Sequence, residues 1–207
     1  RDHVEALIAF LDALGLDRVV LIGNSMGGMT AVRTAAEHPD RVKALVVMGA
    51  PSPGGQPVYT PGGAPTEGLK VLLEGYADPT PATMMKLVEI MCYGRAFADP
   101  AIAEERARAA QARPDHLENY LAARATNTFA GNPTYPTLVG PVSQIAAPAL
   151  IVHGRDDRTV LMEHGLRLVS LIPNSRLVVF NRCGHWAQLE HAAEFNRLVA
   201  QFVDNLD

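Results

Sequence analysis

The segment Gly23-Asn24-Ser25-Met26-Gly27 constrains this chain more than any other, because it joins two elements that can meet only by a sharp turn. Ahead of it runs Arg18 to Ile22, RVVLI, a short apolar run rich in β-branched residues that predicts a buried strand. Behind it, about ten residues of helical character end before His38-Pro39. A strand that turns directly into a helix strains the residue at the tip and crowds the backbone on either side. Gly23, Gly27 and Gly28 are therefore expected to avoid clashes that a Cβ would cause. The turn lifts the Ser25 hydroxyl above the sheet end, with the backbone N–H of Met26 placed to donate to a developing oxyanion. A phosphate-binding turn is the competing interpretation. It would call for a lysine before the Ser/Thr, or for a G-x-G-x-x-G spacing, and neither is present.

The rest of the chain supplies a sheet for that turn. Val4, Leu7, Ile8, Leu11 and Leu14 recur at helical spacing before Gly15, and Lys43 to Met48 forms a second apolar run. Ala149 to His153, a helix near Val160 to Leu171, Arg176 to Phe180, and a final helix carrying Phe195, Leu198, Val199 and Phe202 complete the pattern. Alternating strands and helices predict an α/β fold with a mostly parallel sheet. Between the two blocks, the proline- and glycine-rich stretch Pro51 to Pro65 cannot sustain a regular element. Helical segments follow at Gly68 to Tyr76, Pro81 to Met91, Pro100 to Ala112 and Pro114 to about Phe129, and the loop Gly131 to Pro141 leads out of them. The expected organisation is a first core block at residues 1–50, a helical cap at 51–146 and a second core block at 147–207. With only four strands in view, a long parallel edge would stand exposed, so preceding strands are expected to be missing from this chain or the edge to be covered otherwise.

A serine hydroxyl needs a base within reach, and the base needs an orienting carboxylate. After ALIVH comes Gly154-Arg155-Asp156-Asp157-Arg158-Thr159-Val160; after RLVVF comes Asn181-Arg182-Cys183-Gly184-His185-Trp186. Both loops follow strand C-terminal ends, which makes His185 the candidate base and Asp157 the preferred acid over Asp156, with Glu190 as an outsider. His3, His38, His116, His164 and His191 are expected to be solvated or capping, and His153 structural.

Several classes are disfavoured. Of 207 residues, 48 % are apolar, enough for a substantial core. The net charge of −4 with dispersed basic residues argues against a nucleic-acid partner. No run is long and apolar enough for a membrane span and the start lacks signal-peptide character, so the expected location is cytoplasmic. Cys92 and Cys183 are expected to be free buried thiols, and no spacing suggests a metal or other cofactor.

GNSMGG, GRDDRTV and CGHWAQLEHAAEFNRLV together resemble the meta-cleavage-product hydrolases, carbon-carbon bond hydrolases of the α/β-hydrolase superfamily, and in particular their biphenyl-pathway branch. The cap stretches Glu104 to Arg108 and Pro114 to Tyr120 share the likeness. The resemblance implies a triad of Ser25, Asp157 and His185, with Arg106 holding a substrate carboxylate. It also implies that Asn24 and Trp186 line the polar end of the site and that Met91 lies on the cap surface facing the variable acyl group. The implied substrate is a small molecule carrying a carboxylate and a dienol-ketone, and the implied assembly is a homo-oligomer. In such proteins an earlier glycine-rich loop supplies a second oxyanion donor. Losing one such donor costs about 3 kcal/mol of transition-state stabilisation. An ester or lactone hydrolase with the same triad, or an inactive truncated fragment, stays open at this level.

Overall fold

The computed structural model describes residues 2–54, 65–125 and 137–206, with the side chains of 123–125 excepted. Most of the Pro51 to Pro65 stretch, Phe129 and the first half of the Gly131 to Pro141 loop lie outside the described residues.

Among the described residues, four parallel strands form the sheet in the order β1 (Val19–Asn24), β2 (Val42–Met48), β3 (Ala149–Gly154), β4 (Ser175–Phe180). The strand β1 runs two residues beyond the apolar run, because Gly23 and Asn24 still pair with Val47 and Met48. At this edge of the described sheet Ile22 is 53 % exposed. Strand residues alternate between two apolar layers, as the period of two requires. Leu45, Val47 and Ile151 pack with Ala31, Val32 and Ala35 of α2 (Met26–Glu37) and Leu168 of α8 (Glu163–Leu171). Val46, Met48, Leu150 and Val152 pack with Phe195 of α10 (Ala192–Asp204). The first helix, α1 (His3–Ala13), begins at an Asp2 cap and stops before Gly15, whose φ of +65° ends it.

Between β2 and β3 the chain forms α3 (Glu67–Ala77), α4 (Pro81–Met91), α5 (Pro100–Gln111), α6 (Pro114–Ala125) and the short α7 (Val139–Val142). Thr66, Thr80 and Asp99 cap α3, α4 and α5, and Pro81 and Pro100 stand in first turns where a missing N–H costs nothing. Met84, Leu87, Val88 and Met91 of α4 form a second core with Ala103 and Ala107 of α5. Trp186, from the loop after β4, joins that core, so the α3–α5 unit and the sheet share a side chain.

Candidate active site

At the turn after β1, Ser25 has φ 55° and ψ −120°, a left-handed conformation that a non-glycine residue adopts only where its surroundings compel it. A Cβ on Gly23 would run into the Gly27 carbonyl and come to 2.6 Å from Gly28 N; one on Gly28 would meet Ala50 Cβ at 2.7 Å. Gly27 departs from expectation, since a Cβ there would meet nothing within 4 Å. Its direction out of the first turn of α2 explains the difference. Two of the three glycines are thus sterically required. Met26 opens α2 with its side chain 42 % exposed, and the first-turn amides of that helix have no intrahelical partner of their own.

The loop after β3 builds the acid. Asp157 is 4 % exposed, and its Oδ1 accepts from Thr159 N at 2.8 Å and Val160 N at 3.0 Å. The helix α8 starts at Glu163, three residues later than the apolar pattern suggests. The other oxygen, Oδ2, accepts from His185 Nδ1–H at 2.7 Å. Burial works against the Asp157 charge, yet the adjacent His185, through its charge and its hydrogen bond, holds the carboxyl below the usual range. Asp156 points elsewhere, with its backbone N bonded to Cys183 O and its Oδ1 to Arg155. Glu190 is bonded to three backbone amides and not to His185.

His185 is 3 % exposed and its ring lies against the turn after β2, where a Cβ on Gly49 would come within 2.8 Å of Nδ1. The three loops are also tied by Asn24, whose Nδ2 donates to Met48 O at 3.0 Å and to His185 O at 3.2 Å. Ser25 therefore follows a residue bonded directly to the backbone of His185. Sequence reasoning assigned Asn24 to a pocket lining and missed this bridge, which no local pattern signals.

On the cap side, Arg106 is half-buried, its Nη2 donating to Tyr76 Oη at 3.1 Å and its guanidinium 5.6 Å above the Trp186 ring. Its Nε is buried without a hydrogen-bond partner. Trp186 itself is 8 % exposed. Met91, the last residue of α4, is 3 % exposed. Its sulfur accepts from Thr159 Oγ1 at 3.4 Å and its carbonyl from His185 N at 2.7 Å.

The remaining histidines divide. His153 is buried, with Nε2 2.7 Å from Val160 O. His164, expected to be solvated or capping, is instead bonded to Ser52 and largely enclosed. Cys92 and Cys183 are free and buried. Among the described residues no group of three or more His, Cys, Asp and Glu side chains is arranged to hold a metal ion, and no helix is long and apolar enough to cross a membrane.

The turn after β1 carries a strained serine, the loop after β3 a buried acid and the loop after β4 a histidine, and residues 1–198 match the model of the alpha/beta hydrolase family. The chain belongs to that family. Among its relatives, a 2-hydroxy-6-oxononadienedioate/2-hydroxy-6-oxononatrienedioate hydrolase of Dechloromonas aromatica is 43 % identical over 202 residues, 97 % of this chain and 67 % of the relative. A 2-hydroxy-6-oxo-6-phenylhexa-2,4-dienoate hydrolase of Comamonas testosteroni is 38 % identical over 201 residues, 97 % of this chain and 68 % of the relative. This alpha/beta hydrolase chain thus spans about two thirds of the length of these relatives. Among solved structures, a meta-cleavage product hydrolase from Pseudomonas fluorescens IP01 superposes with a TM-score of 0.83 at 30 % identity, covering 99 % of this chain and 71 % of that one.

Proposed function

We propose that this alpha/beta hydrolase is a serine-dependent carbon-carbon bond hydrolase. Its substrate would be a 2-hydroxy-6-oxohexa-2,4-dienoate, cleaved to 2-hydroxypenta-2,4-dienoate and a carboxylic acid. The observation that carries the reading is Arg106: a cation over the ring of Trp186, the residue after the base, with a buried Nε that has no protein partner. A neutral ester offers a guanidinium there nothing to pair with. A substrate with a terminal carboxylate does, because the planar fork can take both oxygens. The names of the relatives at 36–43 % identity support the same chemistry.

In this reading His185, held in one tautomer by Asp157, assists transfer of the 2-hydroxyl proton to C5. Ser25 Oγ adds to the C6 ketone, losing its proton to His185, and the oxyanion accepts from Met26 N–H. Collapse breaks the C5–C6 bond, the electron pair leaves as a dienolate that takes the proton back from His185 to give the dienol, and water, deprotonated by His185, hydrolyses the acyl-Ser25 ester. Asn24 and Trp186 frame the polar end, and Met91 on the cap faces the variable acyl group. Residues 1–50 and 147–207 act as the catalytic core and 51–146 as the cap. We infer work in the cytoplasm on a small molecule, by a homo-oligomer.

The test is spectroscopic. The yellow 2-hydroxy-6-oxo-6-phenylhexa-2,4-dienoate and 2-hydroxy-6-oxononadienedioate are each mixed with the protein, and their visible absorbance should bleach. Unchanged colour, together with rapid turnover of a simple carboxylic ester, would sink the proposal in favour of an esterase.

A further inference from the structure

We infer that Glu190 is a positioning residue for His185, acting by bolting the cap segment Met91–Gly94 to the loop that carries the base. The inference rests on the Ser25–His185 pairing proposed above, not on its substrate.

Glu190 closes the four-residue α9 (Ala187–Glu190) and is 8 % exposed, a place where a carboxylate is costly unless its oxygens are satisfied. They are. Oε1 accepts from Gly184 N at 2.7 Å, and Oε2 accepts from Tyr93 N at 2.7 Å and Gly94 N at 3.3 Å. One oxygen thus holds the residue immediately before His185, and the other holds the chain leaving α4. A second tie runs beside it, from His185 N to Met91 O at 2.7 Å. Between the ties the two backbones touch: a Cβ on Gly184 would lie 2.6 Å from Met91 O and 2.9 Å from Tyr93 N. The negative charge is felt locally, since the thiols of Cys92 and Cys183, each pushed up to about 12, owe this first to burial and then to Glu190.

The geometry leaves His185 two anchors of different kinds. Asp157 fixes its ring through Nδ1, and Asn24 and Glu190 fix its backbone, one to the serine turn and one to the cap. Removing the Glu190 anchor keeps the Asp157–His185 pair but lets residue 184 shift, and a displacement near 1 Å of a reacting group costs on the order of 100-fold in rate. Glutamine is the decisive replacement, because it keeps the size and turns one acceptor into a donor facing backbone N–H groups.

The intact protein is reacted with a fluorophosphonate, in which Ser25 Oγ bonds to phosphorus, fluoride leaves and the serine proton passes to His185. Glu190→Gln should lower the maximal labelling rate by about 10- to 100-fold, leave the half-saturating probe concentration within about threefold, and cause no further loss in an H185A background. A residue that merely supports the fold would depress the H185A background as well. An unchanged maximal rate in folded E190Q, or a further loss in H185A, overturns the assignment. Should E190Q not fold, E190D, which keeps the charge and withdraws the carboxylate by one methylene, takes its place under the same criteria. Failure of both to fold makes Glu190 a folding residue and also overturns it. If the unsubstituted protein is not labelled at Ser25, the triad itself falls, an outcome distinct from normal labelling that E190Q leaves untouched.

Discussion

Replacing His164 with asparagine should flatten the acid side of the stability profile. The His164 Nδ1 accepts from Ser52 N at 3.1 Å and lies 3.0 Å from Ser52 Oγ, so a proton on that nitrogen destroys the contact. Burial foremost, then the nearby His153 and Arg167, push the imidazole down to about 4 from 6.5. Between those values the unfolded chain binds a proton that the folded chain refuses, so stability rises with pH there. The contribution is complete above about pH 6.5 and lost as pH falls toward 4. A depression of that size corresponds to about 3 kcal/mol at about 1.4 kcal/mol per pH unit. His153 is lowered too, again chiefly by burial and against the pull of Asp157, and it is present in both proteins being compared. Asp2 and Asp157 are lowered from 3.8, which places their losses below pH 4 and outside the window. Asparagine can still accept from Ser52 and does not titrate. Urea unfolding at steps from pH 4.5 to 7.5 should therefore show H164N losing about 2 to 3 kcal/mol less than the unsubstituted protein as pH falls. Parallel profiles for the two proteins would refute the reasoning.

The glycines of the serine turn should separate cleanly. Gly23→Ala forces backbone against backbone and should cost about 1–3 kcal/mol, while Gly27→Ala fills open space in a helical turn and should gain up to about 1 kcal/mol, both read from denaturant midpoints. The reverse order would contradict the steric account. At the cap, Arg106→Lys keeps a charge but loses the fork, and kcat/KM for a dienoate substrate should fall by about 10- to 100-fold, the worth of a charge-assisted hydrogen bond. Turnover of an ester that lacks a carboxylate should be unchanged, and an equal loss on both substrates would remove Arg106 from carboxylate binding.

The chain itself determined the order of strands and helices, the serine turn and the two loops that follow β3 and β4. These are local properties: β-branched runs, helical spacing, and glycines at a turn that tolerates little else. Even the strength of the caps is written in Thr80-Pro81 and Asp99-Pro100. Loop position already favoured Asp157 over Asp156 and Glu190, and the folded molecule shows what aims it at the base. Asp156, Asp157 and Glu190 are chemically alike, and the choice turns on a one-residue step in direction and on amides contributed from elsewhere: Thr159 and Val160 for Asp157, and Gly184, Tyr93 and Gly94 for Glu190. The same holds for Asn24 and His164, whose partners lie 161 and 112 residues away. Hydrogen bonds across such separations have no periodicity to betray them, because the backbone that makes them is brought close by the packing of the sheet and cap.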